Sequence, residues 1–243
     1  AANKYGSTTV HGDMSYAPGW VGSQAAAERG PSAAGGVKVG GVNDFVRVAH
    51  NPELNAYPIT FSTWLRTTNG ATVVQGLVTK SVDTGDAWSL IVQSGRLRGF
   101  YYRNFGNYAI DALPATQVAD GAWHHAALTV DASGGKLYLD GVLAGSSAWV
   151  GAPGAMTLTQ PLQIGRYFNY STPLAGAIDE VTVWNRALTG TEILAMKTLP
   201  LAGHERGLVA YWRFDEATGP AATDATGLGH TGTLTHGAAR TGS

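Results

Sequence analysis

The chain has 243 residues, a length that suits one large all-β or α/β domain or two small ones and is ample for a buried core. It has no Cys, 33 Gly, 14% charged residues and a formal net charge of −1. This excludes a disulfide framework and thiolate metal sites, and gives no electrostatic reason to expect nucleic acid or an anionic membrane as partner. No apolar run reaches the roughly 18 residues of a membrane helix, so no membrane insertion is expected. No charged n-region with an apolar h-region opens the chain, which reads as a mature form or an excised module.

In chain order, residues 1–36 are rich in Gly, Ala, Ser and Pro and read as loop, with one short strand near Thr8–His11. From Val37 the pattern changes to short runs of Val, Ile, Leu, Thr and aromatics separated by turn residues. Strands are predicted at Asp44–Ala49, Ile59–Arg66, Val73–Ser81, Trp88–Gln93, Arg96–Asn104, His124–Asp131, Lys136–Asp140, Leu162–Arg166, Ala177–Asn185 and Leu208–Asp215. Such a series argues for a sandwich or barrel. The segment 127–140 reads as a hairpin, with Leu128 and Val130 on the same face as Leu137 and Leu139. In the last strand, Leu208, Ala210, Trp212 and Phe214 are expected to share one face. One helix is predicted after a capping box with Thr189 as N-cap and Glu192 at N3. It stops at Pro200 and is expected to plug an edge or end of the sandwich.

Trp123-His124-His125, Leu128-Thr129-Val130-Asp131 and Leu137-Tyr138-Leu139-Asp140-Gly141 together resemble the central motif of bacterial LamG-like jelly rolls, in the concanavalin A-like lectin/glucanase superfamily. Gly41–Val46 with Phe61–Trp64, Gly176–Leu188 and Gly207–Glu216 are similar to further motifs of that family, in its order. The resemblance implies an all-β, two-sheet antiparallel jelly-roll sandwich with one short helix. We read a single domain over 1–243, with its motif-bearing core at 37–216 and flanking or completing segments at 1–36 and 217–243. Tyr211–Glu216, Asp224–Gly227 and Gly232-Thr233-Leu234 form a series that commonly opens a copy of the fold. Here it lies at the C-terminus, where it would close the sheet that an N-terminal strand otherwise closes.

Catalysis has little support. Jelly-roll glucanases place paired carboxylates at alternate strand positions, and no such run exists here; Asp179 and Glu180 are adjacent and so face opposite sides. His124 and His125 also point oppositely and are expected to be structural, beside a buried Trp123. Calcium suits oxygen ligands from loops and strands. By the resemblance, a structural Ca²⁺ would take Asp179, Asp215 and a carbonyl from the Gly41 region, with Asp179 sharing a face with Val181 and Val183. Asp83–Asp86 reads as an ordinary acidic turn.

Two stretches mix aromatic rings with amides and guanidinium groups: Tyr102, Arg103, Asn104, Phe105 and Tyr108, and then Arg166, Tyr167, Phe168 and Tyr170. Flat rings stack on the C–H face of a sugar, while Asn, Arg and Tyr OH satisfy its hydroxyls. Alternation separates Tyr102 and Asn104 from Tyr101 and Arg103. The expected function is a non-catalytic carbohydrate-binding module for an extracellular polysaccharide or glycan, at the cell surface or secreted, within a larger protein. A structural or adhesive domain that binds protein, and a glycan hydrolase or lyase on the same fold, are the alternatives.

Overall fold

The computed structural model describes residues 36–40, 44–81, 85–104, 106–111, 117–167 and 173–240, with Ile110 and Asp111 described by their backbone alone. The strands are β1 Val37–Val39, β2 Phe45–Val48, β3 Ile59–Thr67, β4 Gln75–Ser81, β5 Ala87–Gln93, β6 Arg96–Arg103, β7 Asn107–Asp111, β8 Trp123–Asp131, β9 Gly134–Leu139 and β10 Val142–Ala148. They continue with β11 Leu162–Ile164, β12 Gly176–Trp184, β13 Leu208–Trp212, β14 Ala221–Ala222, β15 Gly232–Thr235 and β16 Ala239–Arg240, and helix α1 spans Gly190–Thr198. The predicted strand near Thr8–His11 lies outside the described residues.

The strands form two antiparallel sheets. Sheet A runs β10-β9-β8-β3-β12-β1-β16, with β13 also paired to β12; sheet B runs β14-β15-β2-β11-β4-β5-β6-β7. Their inner faces carry the alternating apolar residues that the strand period supplies. Phe61 of sheet A meets Trp88 of sheet B with ring centroids 4.4 Å apart, and Leu65, Leu90, Leu128, Leu137, Ile178 and Trp212 pack around them, all buried. The predicted shared face of the hairpin is present, with Leu128 opposite Leu137 and Ala126 opposite Leu139 across a turn at Ala132-Ser133. The C-terminal series joins both sheets, β13 on β12, β15 on β2 and β16 on β1. Asp224 ties it down, since its carboxylate accepts from Tyr211 N, Thr226 N and His230 N.

Three expectations change. The helix has the predicted cap, Thr189 accepting from Glu192 N, but it covers the outer face of sheet A rather than an edge. Ile193 and Met196 bury there with Tyr138, Trp184, Leu208 and Tyr211. Leu208 belongs to this second cluster, while Ala210, Trp212 and Phe214 lie in the main core. The cause is a shift of register between Val183 and Trp184, which pair with Ala210 and Leu208 and leave Val209 as the extra residue. Asp179 does not share a face with Val181 and Val183. Glu180 has φ +51°, and the β12–β3 register slips between Asp179 and Thr182, so Glu180 and Val181 both face Thr63. Val181 and Val183 turn into the core, whereas Asp179 stands opposite Trp64 on the outer face.

One buried cation sits among neutral partners. Lys80 Nζ donates to Asn55 Oδ1 at 2.8 Å and to Leu158 O at 3.0 Å, and burial pushes the amine down to about 8. No helix among the described residues is long and apolar enough to cross a membrane.

Candidate functional site

The outer face of sheet B gathers one of the two predicted aromatic clusters at its edge. Along β6, Leu97 and Tyr101 turn into the core, which leaves Phe100 and Tyr102 on the outside. Their rings stack with centroids 5.9 Å apart, and Tyr102 meets Tyr108 of β7 at 5.5 Å. All three are half-buried. Arg103 points the other way, as alternation requires, and its Nε donates to Ala155 O at 3.0 Å. Asn104 makes the turn out of β6 at φ +50°, and its N–H donates to Asp86 Oδ1. Phe105 lies outside the described residues.

Towards the sheet centre the face becomes polar. The register aligns Arg47, Gln163, Thr79, Ser89 and Phe100 as one cross-strand row over β2, β11, β4, β5 and β6. In the next row Ser81 stands opposite Ala87, which stands opposite Tyr102. Ser81 Oγ, Ser89 Oγ and Gln163 Oε1 are buried and have no hydrogen-bond partner. Such atoms are rare in folded proteins, because an unmet buried polar group costs about 1–3 kcal/mol. Sequence reading passed over these residues, since Ser, Thr and Gln scattered on short strands carry no motif. The available signal was no more than Thr79 and Ser81 two apart on β4 and Ser89 between apolar neighbours on β5.

Arg166 and Tyr167 belong to the same face at its far end. The Arg166 guanidinium lies 4.9 Å from the Phe45 ring centroid, and Arg166 O accepts from Thr79 Oγ1 at 2.8 Å. Gly76 lets this segment cross β4: a Cβ there would meet the Arg166 carbonyl carbon at 2.1 Å. Phe45 on β2 and Tyr102 on β6 are four strand spacings apart, about 19 Å. The Arg166 backbone crosses β4, two strands from β6, and its guanidinium reaches on to Phe45, so the described members of the two predicted clusters lie apart on one face. Phe168 and Tyr170 lie outside the described residues.

Of the residues expected to hold calcium, Asp179 lies on β12 of sheet A and Asp215 in the segment after β13. Asp179 is fully buried and its Oδ1 accepts from Glu180 N at 2.9 Å, while Asp215 is exposed. Because Val181 pairs with Trp212, the residues before Val181 and those after Trp212 lie at one end of the pair, so both carboxylates are at that end. This suits a site completed by loop carbonyls and water. Gly41 lies outside the described residues, and among the described residues no three of His, Cys, Asp and Glu gather.

The histidines have structural partners. His124 is held between Asp140 and Asp120, and His125 is buried beside Trp64, with ring centroids 5.4 Å apart. Trp123 is half-buried rather than buried, because it is on the outer face with Arg66 above it. Three buried glutamates also serve the fold: Glu180 accepts from Tyr211 OH, Glu192 closes the helix cap, and Glu205 accepts from Ala202 N and Gly203 N.

Two antiparallel sheets packed face to face, with an aromatic and polar outer face on one of them, define a lectin-like β-sandwich. Residues 40–194 match the family model Laminin_G_3, of the concanavalin A-like lectin/glucanases superfamily, and the chain belongs to that family. Among solved structures it is similar to a candidate carbohydrate-binding protein from Bacteroides ovatus, with TM-score 0.63 and 18% identity over 84% of this chain and 59% of that one. It therefore spans about three-fifths of that relative. It is also similar to the CBM40 of a Ruminococcus gnavus IT-sialidase bound to α2,6 sialyllactose, with TM-score 0.55 and 15% identity over 67% of this chain and 96% of that one. A third is domain 4 of a GH43 extracellular arabinanase from Geobacillus stearothermophilus in complex with arabinotriose, with TM-score 0.50 and 18% identity over 63% of this chain and 72% of that one. At these identities the likeness is one of fold.

Proposed function

We propose that the chain is a non-catalytic carbohydrate-binding module that lays a polysaccharide or glycan across the outer face of sheet B. One observation carries this reading. The rings of Phe100, Tyr102 and Tyr108 form a half-buried, half-exposed ladder at the edge of that face. Such rings stack on sugar C–H faces, and the tyrosines carry phenol hydroxyls at their rims. The aromatic end and the Arg166–Tyr167 end would grip an extended chain rather than a single sugar. The carbohydrate ligands of the sialidase and arabinanase modules support the reading by fold analogy. An extracellular or cell-surface location, and a place beside other domains of a larger protein, go with it.

The test is affinity electrophoresis and calorimetry on a panel of neutral and acidic polysaccharides. Tyr102→Ala and Tyr108→Ala should each weaken binding by about 2 kcal/mol, roughly thirtyfold, with the melting temperature nearly unchanged. Unchanged binding in both variants would place the ligand elsewhere, and release of reducing ends or unsaturated sugars would replace the module by an enzyme.

A structural calcium ion held by Asp179, Asp215 and a carbonyl near Gly41 is the second part of the proposal. Its contribution would be to fix β12 to the segment after β13, with no part in sugar chemistry.

A further inference from the structure

On the opposite side of the molecule, the outer face of sheet A carries a groove of about 660 Å³ lined by Lys38, Arg66, Thr67, Thr68, Gly121 and Arg240, among others. Its floor follows from register. Lys38 on β1 stands opposite Ala177 on β12, Ala177 stands opposite Arg66 on β3, and Arg66 stands opposite Trp123 on β8. Directly opposed residues share a face, so these four form one row across four strands. The two cations are exposed and lie about 10 Å apart at the backbone, two strand spacings, with only the Ala177 methyl between them. A small residue between two long ones leaves a slot walled by positive charge.

The charges in this slot are available. Among the described residues neither Lys38 nor Arg66 has a carboxylate partner. Arg240, at the end of the slot, is already paired with Glu216 at 2.7 Å. Acidic neighbours are engaged elsewhere: Asp120, beside Gly121, accepts from Ala122 N and lies 3.1 Å from His124 Nε2, and Asp179, in the next row, is buried and accepts from Glu180 N. Arg66 is also oriented, since its guanidinium lies 5.2 Å from the centroid of the Trp123 ring. A planar fork held in place beside a second point charge suits an oxyanion, which Arg takes in bidentate fashion and Lys as a single charge.

We infer that this slot binds an anionic saccharide, a sugar bearing a carboxylate or sulfate group, at a second site independent of sheet B. Two free cations are too few for a nucleic acid, whose affinity grows with the number of phosphates neutralised, and the net charge of −1 supplies no attracting field. The rest of the rim suits a sugar: Thr68 is exposed and offers its hydroxyl, and Ala177 with the edge of Trp123 offers apolar surface.

The experiment is native electrophoresis through gels containing polygalacturonate, dextran sulfate or dextran, with mobilities referred to a polymer-free gel. The wild type should be retarded by polygalacturonate, dextran sulfate or both, and not by dextran; the two anionic polymers distinguish carboxylate from sulfate. Lys38→Gln/Arg66→Gln should weaken that retardation at least about tenfold, the size expected of lost charge-assisted hydrogen bonds. Arg66→Lys should lose part of it because the fork is gone, and Tyr102→Ala should keep it. Absence of retardation by both anionic polymers would overturn the inference. So would equal losses in the remote exposed pair Arg96→Gln/Arg206→Gln, or equal retention by duplex DNA at the same salt, since each would mean general polyanion affinity. Failure of the sheet B reading would appear separately, as intact binding in the tyrosine variants.

Discussion

His124 Nδ1 lies 2.8 Å from Asp140 Oδ2, and the same carboxylate accepts the His125 backbone N–H at 2.9 Å through its other oxygen. His124 Nε2 meets Asp120 at 3.1 Å, so a carboxylate faces each of its nitrogens. Carboxylates only accept, and only the doubly protonated ring donates to both. Burial lowers the His124 pKa, but its hydrogen bonds to Asp140 and Asp120 outweigh that and the net shift is upward. For His125 the first cause is burial, and with Lys197 adding to it the pKa falls to about 4.

Neighbouring histidines therefore give opposite pH signatures. A raised pKa means that the His124 contribution is full below pH about 6.5 and is lost as pH rises through the folded value. A lowered pKa means that the His125 contribution is full above pH about 6.5 and is lost as pH falls towards 4, with about 3 kcal/mol at stake. Denaturant midpoints from pH 4 to 8 should show His124→Gln losing stability mainly at the acid end. An acid-end loss no larger than that at pH 8 would refute the clamp.

Asp224 is the anchor of the C-terminal series, buried and accepting from Tyr211 N at 3.2 Å, Thr226 N at 3.0 Å and His230 N at 3.0 Å. Asp224→Ala leaves those donors unmet and should cost about 3 kcal/mol. Thermal melting should fall by roughly 6–12 °C. A change within 2 °C would mean that the segment after β13 contributes little.

Gly76→Ala tests how the far end of the sheet B face is built. The added methyl would meet the Arg166 backbone at 2.1 Å, so that segment must move. Overpacking of this kind costs about 1–3 kcal/mol. The expected outcome is weaker polysaccharide binding at a temperature where the variant is still folded, checked by calorimetry beside circular dichroism. Binding equal to wild type would remove Arg166 and Tyr167 from the site.

Calcium is tested by melting the protein in EDTA and then in excess Ca²⁺. Saturation at about a hundred times Kd stabilises a site by about 2.7 kcal/mol, which should raise the midpoint by roughly 5–10 °C. Asp179→Asn should abolish the response. Identical midpoints in EDTA and calcium would refute the site.

The parts of this protein legible in its sequence are those whose determinants lie close together along the chain. Thr189 and Glu192 are three residues apart and cap each other whatever surrounds them. In the 127–140 hairpin period-2 alternation puts Leu128 and Leu137 on one face, and the turn at Ala132-Ser133, tighter than the sequence suggests, sets them opposite each other. The neighbourhood of Tyr102 and Tyr108 is legible too, because they lie in one short stretch of the chain and meet as adjacent rings.

What only the tertiary structure decided depends on strand order and on bulges. Alternation assigns faces relative to one another until an extra residue is inserted; Glu180 at φ +51° and Val209 each reverse the pattern beyond them, moving Asp179 out of the core and Leu208 under the helix. Nothing local announces that β1, β12 and β3 will lie side by side. Yet that order places Lys38 and Arg66 on either side of Ala177, and the order of sheet B sets the Arg166 guanidinium, above Phe45, apart from the Tyr102 and Tyr108 rings on one face. Long-range pairing follows from burying both sheets' apolar faces at once, a property of the whole chain rather than of any segment.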